Sequence, residues 1–489
     1  MRISAKIKSI GIIGAGVAGL AAARLLSSAG YDCEIFEKGS KVGGVWTVGY
    51  NTFGLQTPYT LYEVPDFPFP DHYPRLPTGK QLQAYFESYA KHFGLLEKIQ
   101  FNTVIHKLEE VKDVGWLLHF ENLKTGKLDQ HAFDFVVVAT GLYSNPYVPK
   151  IPARDQFLGK VIHSSEYTDS NMIEGDEAVI VGFGKSALDI ATDATHHAKK
   201  VTLLYRQAHW PIPVDVLNLI DVRRIFLNRL VLGFMPLYQR PSQYAEKLHR
   251  YGSWLVKGFW RFVEALLRIQ FPLAATDTLP SDPPEKDFFN HAFLPRKETY
   301  SLLRGGKIKG CRGNISTYYA HGIVLENGER IPCDTVVFGT GWKPHFGFLP
   351  DKFKKSLDND GVYLYRHVLS ADLNNLAFIG WASTFSNSLT AHLASVWLVK
   401  VLQGVVQLPS QQVMLEEIKE MKQWKRGFMP DVYGRGALLQ LHMWNYHDEL
   451  LRDASINPRR KTNWLAEWLQ DYRPTDYKDV LLKIDQITK

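Results

Sequence analysis

Cysteine is scarce in this chain. Only Cys33, Cys311 and Cys333 occur in 489 residues, and no two stand at C-x-x-C spacing. That excludes a disulfide-stapled scaffold, a cysteine-built zinc site and a reductase that passes electrons through paired thiols. Long apolar runs are also missing: none reaches the roughly 18 residues of a spanning helix. The nearest are residues 225–238, broken by Arg229, and residues 254–273, broken by Lys257, Arg261, Glu264 and Arg268. The second reads as an amphipathic helix, a lid or tunnel wall, with peripheral membrane contact through about residues 225–273 as the alternative. Neither charge sign dominates. The net charge of +7 favours anionic cofactors without pointing to nucleic acid, and Pro458-Arg459-Arg460-Lys461 reads as a solvated or domain-contact face. Residues 1–9 are short, basic and lead straight into a strand, so no cleavable signal is expected. With few cysteines, the expected location is cytoplasmic.

Glycine, by contrast, is placed with care. Ile10-Gly11-Ile12-Ile13 runs into Gly14-Ala15-Gly16-Val17-Ala18-Gly19 and a helix, and the next strand ends on Glu37-Lys38. Ala178-Val179-Ile180-Val181 runs into Gly182-Phe183-Gly184-Lys185-Ser186-Ala187 and another helix, and the following strand ends on Arg206. In such a strand–turn–helix the first glycine allows the tight turn and the second lets backbone N–H groups approach a pyrophosphate. The third small residue lets helix and strand pack closely. Glu37 is placed to accept from a ribose diol, and Arg206 to neutralise a 2′-phosphate. The pair predicts an FAD-like dinucleotide first and NADPH second.

Each turn is answered by a later Val-rich strand ending in a small-Thr-Gly triplet: Ala139-Thr140-Gly141 and Gly339-Thr340-Gly341. Such runs fit buried parallel strands whose carboxyl ends open on the ligand crevice. Pro146, Pro149 and Pro152 mark one linker and Trp342-Lys343-Pro344 a second. The expected architecture is α/β, two Rossmann-like dinucleotide-binding domains with the NADPH domain inserted into the FAD domain. The FAD domain is expected at residues 1–165 and 335–445, and the NADPH domain at 166–334 with a helical insertion at about 207–305. A helical tail, 446–489, follows. Residues 207–305 exceed a normal crossover and so form an elaboration.

Between the two modules lies Phe157-Leu158-Gly159-Lys160-Val161-Ile162-His163-Ser164-Ser165-Glu166-Tyr167. This resembles the F-x-G-x-x-x-H-x-x-x-Y signature of class B flavin-containing monooxygenases; related Baeyer–Villiger enzymes usually carry Trp where Tyr167 stands. Gly43-Gly44-Val45-Trp46 and Asp66-Phe67-Pro68-Phe69-Pro70 are similar to further family segments. Leu55-Gln56-Thr57-Pro58, His209-Trp210 and the tail from Asn457 to Tyr477 resemble the plant branch most.

The resemblance implies FAD, NADPH and O₂, with a flavin C4a-hydroperoxide oxygenating a soft nitrogen or sulfur of a small molecule. A Baeyer–Villiger ketone monooxygenase and a flavin redox sensor without turnover are the alternatives. It assigns Gly14, Ala15, Gly16 and Gly19 to the FAD pyrophosphate turn, Glu37 and Lys38 to its adenosine, and Val104 to adenine through backbone. Gly44, Val45, Trp46, Thr57, Ala139, Thr140, Gly141 and Gly380 fall to the flavin region. Gly182, Gly184, Lys185, Ser186, Ala187 and Arg206 fall to NADPH, with Thr340 and Gly341 beside them. Gln56 stands where many members have an active-site Asn; as a catalytic candidate it offers the same amide on a longer arm, the alternative being a local backbone partner. His163 reads as a structural histidine of the linker, and Trp381 faces either flavin or core. No metal ligands are assigned.

Overall fold

The computed structural model describes residues 7–112, 115–291, 293–429, 432 and 434–485; residues 1–6, the start of the basic N-terminal stretch, lie outside them. In chain order the elements that position the site are β1 (Ser9–Ile13), α1 (Val17–Ser28), β2 (Asp32–Glu37), α2 (Gly79–His92), β3 (Ile99–Phe101) and β4 (Phe135–Val138). Next come β5 (Lys160–His163), β6 (Glu177–Val181), α3 (Lys185–Ala194), β7 (Lys200–Tyr205), α4 (Ser253–Gln270) and α5 (Pro284–His291). The chain closes with β8 (Ile308–Arg312), β9 (Thr335–Phe338), β10 (Leu376–Phe378), α6 (Asn387–Leu402), α7 (Met443–Asp453) and α8 (Lys478–Asp485).

Two parallel five-stranded sheets result, ordered β10-β4-β1-β2-β3 and β8-β7-β6-β9-β5. Every residue of β4 and β9 is buried, as Val-rich strands covered on both faces must be. All strands of the second sheet fall between β4 and β10 of the first, so one dinucleotide-binding domain is inserted into the other.

The domain edges need correction. Lys160–His163 and Thr335–Phe338 were expected on the first domain's side of boundaries at 165 and 335, yet both pair within the second sheet. A central strand such as β6 needs a parallel neighbour on each side, and β9 supplies one. The crossings lie instead where Asn145–Pro146 pairs antiparallel with Trp342–Lys343.

Helix α1, alanine-rich and buried over most of its length, packs between the first sheet and α6. The C-terminal helices share that core: Leu450 and Leu451 of α7 and Val480, Leu481 and Ile484 of α8 join it. In the basic cluster, Arg460 pairs with Asp479 and Lys461 with Asp476, which makes it a contact face for this tail. The three cysteines are free, and Cys33 is core. No helix among the described residues is long and apolar enough to cross a membrane.

Candidate functional site

The two glycine turns are built alike. Gly14 has φ of +106° and Gly182 of +126°, and a Cβ on either would fall 2.7 Å from a carbonyl oxygen, of Ala139 and Gly339 respectively. L side chains are strained there whatever the space. A Cβ on Gly19 would lie 1.8 Å from the Gly14 carbonyl oxygen, so glycine lets α1 close on β1. Ala187 takes the equivalent place against Gly339. Ala15 and Ala139 are buried in the same packing.

The middle glycines behave differently. A Cβ on Gly16 would meet only Gly44, at 3.5 Å, and one on Gly184 nothing within 4 Å. The fold does not demand glycine at these positions; its absence of side chain keeps space open before a helix. Gly16 and Gly184 are the N-cap residues of α1 and α3, and neither helix has a side-chain cap. First-turn N–H groups are therefore left for an anion.

Glu37, at the end of β2, is buried and accepts from the N–H of Ala15 and of Gly39, each at 2.7 Å. Each carboxylate oxygen keeps a further lone pair for a hydroxyl donor. Lys38 is exposed. Val104 lies in an antiparallel meander brought beside this turn by the Asn102 N–H, which donates to Gly39 O at 2.9 Å. Arg206 follows β7, exposed, with no carboxylate partner among the described residues. Ser186 is half-buried in the first turn of α3. The Lys185 ammonium is held by Asp189 of the same helix at 2.8 Å.

The Gly43–Trp46 segment folds over the first turn, the Gly43 N–H donating to Ala15 O at 3.0 Å. Val45 is half-buried, and Trp46 stacks on Phe53 at 5.0 Å and donates to the Tyr62 hydroxyl at 3.3 Å. Beyond β4, Thr140 Oγ1 is buried with no hydrogen-bond partner among the described residues, which a ligand would satisfy, and Gly141 is half-buried beside it. After β10, a Cβ on Gly380 would press on that of Ala18, so glycine admits α1 there. Trp381 faces the core, packed between Phe346 and Phe378. Gln56 is half-buried, and its side chain makes no hydrogen bond among the described residues.

The signature between the modules is structural. His163 Nδ1 accepts from the Ser165 N–H, which puts the proton on Nε2, 3.0 Å from the Gly341 carbonyl. Thr340 donates to Tyr147 O, so both residues beside Trp342 are engaged by the domain crossing. Tyr167 is buried and donates to Asp193 of α3 at 2.8 Å. Asp66 of the D-F-P segment pairs with buried Arg24 of α1, whose guanidinium also covers the Phe93 ring.

One feature was missed by sequence reading. Buried Asp189 accepts from Tyr50 at 2.6 Å, and Arg296 Nε approaches it at 3.3 Å, joining the first domain, α3 and the end of the insertion. Tyr50 and Asp189 stand 139 residues apart, and no spacing announces them. Helix α4, expected as a lid or tunnel wall, lines a cavity of about 90 Å³ together with Thr57, Pro58 and Leu61 and with Phe385, contributing Trp260, Val263 and Leu267. Thr57, expected at the flavin, lines this cavity. Helix α4 is thus two-faced: its inner side walls the cavity, while Trp254 and Ile269 are 70% and 74% exposed.

The family model for flavin-binding monooxygenase-like proteins matches residues 7–219 and 286–468. The chain belongs to this family. A probable flavin-containing monooxygenase 1 of Arabidopsis thaliana is 29% identical over 96% of each chain. The flavin-containing monooxygenase 3 of Homo sapiens is 27% identical over 94% of this chain and 84% of its own. Among solved structures, S-allyl-L-cysteine S-oxygenase from Allium sativum superimposes with a TM-score of 0.62 at 20% identity, covering 98% and 93% of the two chains. A steroid monooxygenase bound to NADP gives 0.66 at 19%, covering 92% and 98%. The protein is accordingly an FAD-dependent, NADPH-using monooxygenase. The stretch between the two matched segments, residues 220–285, includes α4, so part of the cavity wall lies outside the residues that the family model matches.

Proposed function

We propose that this flavin-containing monooxygenase oxygenates a soft nitrogen or sulfur atom of an apolar small molecule, and that the α4 cavity receives it. The cavity carries the reading. It begins at Thr57 and Pro58, directly after Gln56, and its described lining contains no carboxyl group or imidazole. A basic amine entering such a site is favoured in its neutral, nucleophilic form, because burial disfavours the charged one. Likeness to an S-oxygenase supports sulfur as an acceptor.

The residues fit both cofactors: open space at Gly16 and Gly184, uncapped helix N-termini and a Thr140 hydroxyl with no partner among the described residues. Gly14 to Gly19 and the start of α1 would hold the FAD pyrophosphate, Glu37 its ribose, and Gly44, Trp46, Thr140 and Gly380 would border the flavin. Gly182 to Ala187 would hold the NADPH diphosphate through backbone and Ser186, with Arg206 on the 2′-phosphate. When bound, the flavin supplies O₂ activation after reduction by NADPH. Gln56 offers an amide to orient the groups beside it, and the apolar walls exclude water that would divert oxygen to peroxide. The outer face of α4, with Trp254, Phe262 and Ile269 beside Lys257, is read as a surface for peripheral membrane contact, which co-sedimentation with anionic vesicles tests.

The test of the activity is NADPH oxidation across apolar thioethers, tertiary amines, S-alkyl cysteines and ketones, with products and hydrogen peroxide measured. Sulfoxides or N-oxides from the apolar compounds are expected. Esters from ketones, with no heteroatom product, would replace this reading by the Baeyer–Villiger one.

A further inference from the structure

Three residues beyond Arg206, the chain meets α5. His209 Nδ1 lies 2.8 Å from Asp287 Oδ1, and His291, one turn further along α5, brings its Nδ1 to 3.9 Å from the same oxygen. The two imidazoles lie nearly parallel, 16° apart with centres separated by 3.8 Å. Donor atoms of all three residues fall within 4.8 Å of one another. Asp287 is 3% exposed, and its other oxygen accepts from the Trp210 N–H at 2.6 Å, which fixes the carboxylate. A hydrogen bond accounts for His209. It does not account for His291, which makes none among the described residues and stands too far from Asp287 for one.

We propose that His209, Asp287 and His291 form a site for a divalent transition-metal ion, Zn²⁺ in the first place, which ties the helical insertion to the segment carrying Arg206. Two imidazoles and one carboxylate are donors that suit zinc. Bonds of about 2.0–2.1 Å in a tetrahedron set ligand atoms roughly 3.3 Å apart. The observed 2.8 and 3.9 Å separations bracket that edge, but imidazole lone pairs lie in the ring planes and the two rings stand face to face, so an ion requires one ring to turn about its Cβ–Cγ bond and the proton between His209 and Asp287 to leave. The His291 side chain is 35% exposed, which gives an entry path and room for water as fourth ligand. Arg206 opposes a cation there, while Asp282 and Asp287 favour one.

The experiment is equilibrium dialysis of the untagged, chelator-treated holoenzyme against Zn²⁺, with bound metal counted by mass spectrometry and Tm read with and without metal. One Zn²⁺ per chain and a Zn²⁺-dependent rise in Tm are expected. His291→Ala should weaken binding at least about a hundredfold, since even outer-shell partners of a ligand are worth about 10–100-fold. Its metal-free Tm should match wild type. Asp287→Asn, which keeps an acceptor for Trp210, should lose Zn²⁺ as well. No stoichiometric zinc, or equal binding by wild type and both variants, would overturn the site.

Discussion

Gly16 and Gly19 sit three residues apart in one turn, yet their replacement by alanine should fail in opposite ways. At Gly19 a Cβ would overlap the Gly14 carbonyl oxygen at 1.8 Å, a backbone atom that cannot swing aside. Helix α1 must move off β1, and overpacking of this kind costs about 1–3 kcal/mol or more. At Gly16 the nearest atom would be Gly44 Cα at 3.5 Å, an ordinary contact. The fold should absorb that methyl at about 1 kcal/mol, mainly from a poorer N-cap. The new methyl instead occupies the approach to the uncapped N–H groups of α1. Losing two charge-assisted contacts to a pyrophosphate, at about 1.5–3 kcal/mol each, removes roughly two to four orders of magnitude in flavin affinity. The assays are flavin content after desalting, FAD titration of the apoprotein by fluorescence, and Tm of the flavin-free forms. Gly16→Ala should purify colourless with a near wild-type apoprotein Tm, while Gly19→Ala should lose Tm even without flavin. Full flavin occupancy in Gly16→Ala would show that the pyrophosphate does not pass this turn.

Arg206→Ala should raise the KM for NADPH about ten- to a hundredfold and leave NADH unchanged, because one charge-assisted phosphate contact is worth about 1.5–3 kcal/mol; an unaltered NADPH/NADH preference removes Arg206 from the site. Gln56→Ala should reduce flavin normally but release hydrogen peroxide in place of product, with Gln56→Asn intermediate; equal product per NADPH in wild type and Gln56→Ala would return Gln56 to a local role. Asp66→Asn should cost up to about 3–5 kcal/mol by removing the carboxylate that pairs with buried Arg24. Burial opposes ionisation of Asp66, but the Arg24 guanidinium prevails and holds its carboxyl below the ordinary value. Its contribution is thus complete above the unfolded value of about 3.9 and lost as pH falls through the lower folded value. Urea denaturation should accordingly show the gap between wild type and Asp66→Asn closing only below about pH 4, and a gap that closes between pH 5 and 7 would contradict the pairing.

Sequence alone determined the two dinucleotide turns, the order of the modules and the insertion of one domain into the other. Gly14 to Glu37 and Gly182 to Arg206 each lie within a single strand–helix–strand unit. The geometry of that unit sets both spacing and residue type, so the chemistry can be read along the chain. The same proximity misled at the domain edges, since Thr335–Phe338 carries the same Val-rich pattern as Phe135–Val138 and a pattern does not say which sheet a strand joins. Only tertiary packing decided which glycines serve the fold and which leave room for a ligand, because the distinction rests on what a Cβ would strike. It likewise decided that Asp66 answers Arg24 and that the family signature fastens a domain crossing. Packing also gathered Thr57 and α4 around one apolar cavity, and His209 with Asp287 and His291. These partners come from elements separated by tens to hundreds of residues. Their meeting depends on how helices and sheets stack, which no local periodicity encodes.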